Sequence, residues 1–208
     1  MLAEPECLSV ARQLIELCCQ AIGVFGVKPV VHLELEGWAS LKATQEIDFA
    51  DLNKAFDQHN ILAELKPEYW RGQWEYASLF LKQAPLRVAD DLVKALALLP
   101  ELFRHQQIPD ILIRPVVWHG DLGRMAGQSR SIRTARADAI HIPNSVQLNV
   151  SGWDAQGRNL VAETSLGESL QRYLLQSSYE NCLLFLPEEE AFERLKLKSR
   201  YQLDKELN

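Results

Sequence analysis

Between residues 29 and 118 the hydrophobic pattern changes period in one fixed order: strand, helix, strand, strand, helix, strand. The first strand, PVVHLELEG, alternates Val31, Leu33 and Leu35 with His32, Glu34 and Glu36, and Gly37 ends it. Asp48 is placed to cap a short helix, FADLNKAFDQHN, with Phe49, Leu52, Ala55 and Phe56 as its apolar stripe. The segments ILAEL and WRGQWEYASLFL then read as strands joined around Pro67. Pro85 opens a second amphipathic helix with Val88, Leu92, Leu96 and Leu99 along one side, and Pro100 should kink or end it. ILIRPVVW supplies the last strand. This is the split βαβ order of ferredoxin-like domains, an arrangement that hosts many unrelated functions.

The flanking segments extend that core. Residues 7–22 carry Leu8, Ala11, Leu14, Ile15, Cys18 and Ile22 at helical spacing before Gly23 and Gly26. SVQLNVSGW and RNLVAET read as a β-hairpin around DAQG. Ser165 and Glu168 form a capping box for a following helix with Leu170, Tyr173, Leu174 and Cys182 toward its buried side. Pro187 ends that helix, and the tail from residue 188 reads as a final solvated one. The expected fold is therefore α+β. Residues 1–120 form an N-terminal helix and ferredoxin-like βαββαβ core, 121–138 an Arg-rich loop, and 139–208 a β-hairpin and C-terminal helices packed on the same core.

Composition bounds the class. With 208 residues, 47% hydrophobic and 24% charged, the chain can build one full core or one core plus a small subdomain. MLAEPECLSV lacks the basic start and long apolar run of a secretory signal, so no export is expected. Apolar runs such as residues 183–186 fall far short of the roughly 18 residues needed to cross a bilayer. A cytoplasmic protein with no membrane partner is the expectation. Cys7, Cys18, Cys19 and Cys182 show no metal-ligand spacing, and Cys7 and Cys18 return to one helix face, so they read as core thiols. No metal and no cofactor are expected.

Enzyme signatures are sparse. There is no GxSxG, P-loop, HExxH or GxGxxG pattern. His119-Gly120-Asp121-Leu122 at a strand end resembles the catalytic loop of the aminoglycoside phosphotransferase and choline kinase families. The resemblance implies that Asp121 would orient or deprotonate an acceptor hydroxyl; the magnesium-binding Asn of those families, five residues on, is Ala126 here. Glu64-Leu65-Lys66 is an E-x-K string of the kind found in metal-dependent nucleases. No family is recognised across the chain.

Two binding constellations remain. Trp74, Tyr76 and Phe80 share one strand face where RNA-recognition motifs carry stacking aromatics, and Arg71-Gly72 precedes them. The stretch GRMAGQSRSIRTARADAIHIP gathers Arg124, Arg130, Arg133 and Arg136 in a chain of net charge -6. Between residues 111 and 140, five arginines stand against two aspartates, a local charge of +3. Arginine suits bidentate contact with phosphate or carboxylate. The leading expectation is a non-catalytic accessory protein that binds an anionic partner, RNA or DNA within a larger complex, through Arg124, Arg130, Arg133, Arg136 and Arg71, with Trp74 and Tyr76 stacking. The alternative is an assembly factor or adaptor docking on an acidic protein surface, and the third reading is an enzyme around His119 and Asp121.

Overall fold

The structure, a computed structural model, describes residues 4–68, 71–113, 116–118, 141–177 and 180. In chain order the elements are α1 (Glu4–Gly23), β1 (Lys28–Ala39), α2 (Phe49–Gln58), β2 (Ala63–Pro67), β3 (Gln73–Ser78), α3 (Pro85–His105), β4 (Ile111–Leu112), β5 (Val116–Trp118), β6 (His141–Pro143), β7 (Val146–Trp153), α4 (Leu160–Glu163) and α5 (Ser165–Ser177). The class is α+β.

The central sheet runs β2-β3-β1-β4, with β7 also paired to β1, and every pairing is antiparallel. The α+β class agrees with the expectation, but the sheet does not close as a ferredoxin-like βαββαβ core would. ILIRPVVW does not form one long fourth strand: β4 has two residues and meets only Trp38 and Ala39 at the end of β1. Most of that edge is taken instead by β7, in register from Lys28↔Trp153 to Leu35↔Val146. β5 pairs with β6 in a separate two-stranded sheet.

Helices α2 and α3 lie on the same face of the sheet, because both feed one core. Leu52 and Phe56 of α2 and Ala95, Leu99 and Phe103 of α3 close on Leu35, Ala39, Ala63, Leu65, Trp74 and Tyr76. Trp74 meets Phe103 at 5.7 Å between ring centroids, and Tyr76 meets Phe56 edge-on at 6.1 Å. Each such fully buried side chain contributes about 1.5–3 kcal/mol over its exposed state. The α2 cap forms as its sequence implies, with Asp48 Oδ1 accepting the Asp51 N–H at 3.0 Å. Helix α3 continues through Pro100 to His105. Residue 100 is exposed, so the Leu96 carbonyl it deprives of a partner lies on the solvent side, while buried Leu99 and Phe103 anchor the helix on both sides of the proline.

Three expectations about the flanks are corrected. Helix α1 forms, but its apolar stripe is not a core face: Leu8 is 49% and Leu14 59% exposed. Cys7 and Cys18 are accordingly exposed and Cys19 half-buried, so the core-thiol expectation fails for them; Cys182 lies outside the described residues. The second half of the expected hairpin is mostly helical. One bridge joins Trp153 and Asn159, after which the Asn159 side chain accepts the Val161 and Ala162 N–H groups and starts α4. Glu163 accepts the Asn159 N–H in return at 3.0 Å. At α5 the Leu166 N–H is taken by Thr164 Oγ1, and Tyr173 and Leu174 are exposed rather than buried. Among the described residues no helix is long and apolar enough to cross a membrane.

Candidate functional site

Alternation along the central strands separates two faces. Leu33, Leu35, Leu65, Trp74 and Tyr76 point toward α2 and α3. The residues between them, Glu34, Glu36, Lys66, Gln73 and Glu75, fall on the other face. Register then builds a row: Glu36 lies opposite Glu75 across β1 and β3, and Glu75 lies opposite Lys66 across β3 and β2. Glu68 follows directly after β2, and one carboxylate oxygen each of Glu36, Glu68 and Glu75 lies within 4.8 Å of the others.

These acids are held differently. Glu36 is fixed from both sides of its carboxylate: Oε2 accepts the Ser145 N–H at 2.9 Å and Gln73 Nε2 at 3.2 Å, and Oε1 accepts the Ser145 hydroxyl. Gln73 also donates to Asn144 Oδ1 at 3.0 Å, so the link between β6 and β7 is tied to the row. Glu75 is buried and forms an ion pair with the Lys66 ammonium, Nζ to Oε1 2.8 Å. Glu68 is half-buried, and its pKa is raised by burial first and then by the negative charges of Glu75 and Glu36. One ammonium among three carboxylates leaves an excess of negative charge where water is partly excluded.

Oxygen-only ligands select hard cations over zinc or copper. Two oxygens bound to one ion are separated by at most twice the ligand distance, about 4.2 Å for magnesium and about 5.2 Å for calcium, and three cannot all stand that far apart. Oxygens that lie within 4.8 Å of one another can close on one such cation by inward movement of the side chains.

Beside this row, His32 is buried under the ring of Phe80, stacked at 3.6 Å between centroids. Its Nδ1 lies 3.1 Å from Ser78 Oγ and its Nε2 3.2 Å from Glu34 Oε1. Ser78 Oγ accepts the Leu33 N–H, which leaves its own proton for Nδ1 and sets the Nε2–H tautomer that donates to Glu34.

The candidates named from the sequence are mostly elsewhere. Trp74 and Tyr76 are fully buried between the sheet and the helices, so neither ring presents a face to a base; burial, followed by the charge of Asp91, also raises the Tyr76 pKa. Phe80 is exposed but lies beyond β3 against His32, so the three aromatics form no common platform. The Arg71 guanidinium donates to the Lys42 and Gln45 carbonyls, both at 2.6 Å, and fastens the β2–β3 connection. Arg124, Arg130, Arg133, Arg136, His119 and Asp121 lie outside the described residues. Lys66 of the E-x-K string neutralises Glu75, while Glu64 is exposed. Glu36, Glu68, Gln73, Glu75 and Ser145 were not among the site residues expected from the sequence. The available signal was Glu34-x-Glu36 on one strand face, with Glu75 set between the two aromatics of the third strand.

No protein-family model matches the chain, and no curated protein matches it. Among solved structures, one described as a novel glutamine synthase homologue is similar in fold at TM-score 0.52 and 18% identity, over 72% of this chain and 33% of that one. A structure described as a GmaS–ADP complex aligns at TM-score 0.42 and 15% identity, over 72% of this chain and 35% of its own, too low for a shared fold to be argued. The chain thus spans about a third of the length of the structures it matches. The fold likeness to a synthase homologue, together with the burial of the supposed stacking aromatics in the core, corrects the expectation of a nucleic-acid-binding protein.

Proposed function

We propose that this chain is a divalent-cation-binding domain of an enzyme, with Glu36, Glu68 and Glu75 as oxygen ligands on the polar face of its sheet. The observation that carries this reading is their convergence within 4.8 Å, with Glu36 oriented by Ser145 and Gln73. The fold likeness to a glutamine synthase homologue supports an enzyme class on this scaffold. A magnesium or manganese ion held here would neutralise and orient an anionic group of a substrate, such as a carboxylate or phosphate. Ser145 and Gln73 orient Glu36, and the buried position of Glu75 fixes the second carboxylate. Docking of Arg124, Arg130, Arg133 and Arg136 on an acidic protein surface is a separate proposal that makes no use of this site.

Calorimetric titration of the full chain with magnesium and manganese tests the reading. Saturable binding at one ion per chain is expected, with affinity reduced about tenfold or more in Glu75→Gln, since breaking a buried charged contact costs well over 1.4 kcal/mol. Absence of saturable heat with either ion, in protein that is folded by circular dichroism, would refute it.

A further inference from the structure

We infer that Lys66 is an exchangeable counter-ion of the acidic row, holding Glu75 while no metal is bound and yielding that carboxylate when a divalent cation arrives. This rests on the cation-site reading of Glu36, Glu68 and Glu75. The ammonium lies 2.8 Å from Glu75 Oε1, on the carboxylate that would also serve the cation. Glu75 is the middle residue of the row, with Glu36 on one neighbouring strand and Lys66 on the other. An ion drawn to Glu75 from the Glu36 side therefore meets the lysine charge across a single carboxylate.

The two partners of this ion pair differ in freedom. The Lys66 side chain is 43% exposed and that of Glu75 only 9%. A flexible four-carbon stem can swing the ammonium into water at small cost, whereas Glu75 would have to leave a buried place in the sheet. Glu36 keeps its own donors, Ser145 and Gln73. A lysine ammonium is cationic at neutral pH. Lys66 therefore competes as a permanent charge, and cation affinity should rise when that charge is removed.

The test uses the full chain and magnesium, followed by nitrogen-15 spectra of lysine ammonium groups and by calorimetry of the wild type and Lys66→Met. The expected result is a Lys66 ammonium signal seen without magnesium and lost to solvent exchange at saturation. Lys66→Met should bind magnesium about tenfold more tightly, the scale of one removed charge near a partly buried site. Lys66→Arg, which retains the charge, should bind no more tightly than the wild type. Two outcomes overturn the inference and leave the cation site standing: magnesium saturates while the Lys66 signal is unchanged, or Lys66→Met binds within about twofold of the wild type. If neither the wild type nor Lys66→Met binds magnesium, the cation-site reading fails and the inference fails with it.

Discussion

Gly37 shows how closely single residues are constrained around the core. A Cβ added there would lie 2.2 Å from Trp74 Cζ2, because the indole packs flat against the β1 backbone. Gly37→Ala must move that ring, and equilibrium unfolding in urea should show a loss of about 1–3 kcal/mol or more. Glu68 gives the opposite sign. Its raised pKa means that the folded chain holds this proton more tightly than the unfolded chain. The associated stability is present below the ordinary carboxylate range and is lost as pH rises through the raised value. Glu68→Gln should therefore be more stable than the wild type at neutral pH, by less than about 1 kcal/mol given its partial exposure, and should remove that part of the pH dependence. Thermal unfolding across pH 4–7 measures both effects. The sequence made Gly37 visible only as a strand end, since the contact that demands glycine comes from Trp74, far along the chain. It likewise displayed the charges of Glu36 and Glu75 but not their pairing, which register alone creates.

At the scale of elements, the junction between α2 and α3 is set by side chains that replace missing backbone partners. Gln106, just after α3, accepts the Asp48 N–H at 3.0 Å and donates to the Asp48 carbonyl at 2.9 Å, while Asp48 caps α2. Asp48→Ala should cost about 1 kcal/mol through the lost cap. Gln106→Ala should leave the cap intact but loosen the junction, read as faster amide exchange at Asp48. Elements with one covered face were legible: β1, β2, α2 and α3 each show the period of their buried side, whereas β3 is buried on both faces and its aromatics lie on the face opposite to the one expected. Residues 158–164 were not, because Leu160, Val161 and Ala162 form a continuous apolar run without a distinguishing period. Asn159 decides that segment by taking two N–H groups at once. In α1 the period identified a helix correctly but not a buried stripe; Arg12 instead pairs with Asp90 of α3.

Across the whole molecule, the order of strands and the placement of both helices on one face follow from the sequence pattern, since short connections and amphipathic faces leave few alternatives. The role of β7 does not. Its pairing with β1 joins residues more than 110 positions apart, and no local pattern says which edge it occupies. The same long-range link carries Asn144 and Ser145 to Gln73 and Glu36, so the carboxylate row is completed by the part of the fold that the sequence left open. The central claim is that this row binds a divalent cation. Paramagnetic resonance of manganese reads bound and free ion separately, and comparing the wild type with the combined variant Glu36→Gln, Glu68→Gln, Glu75→Gln tests the claim most directly. One tightly held manganese per wild-type chain and none in a folded triple variant is the predicted result; equal binding by both proteins, or no binding by the wild type, would contradict it.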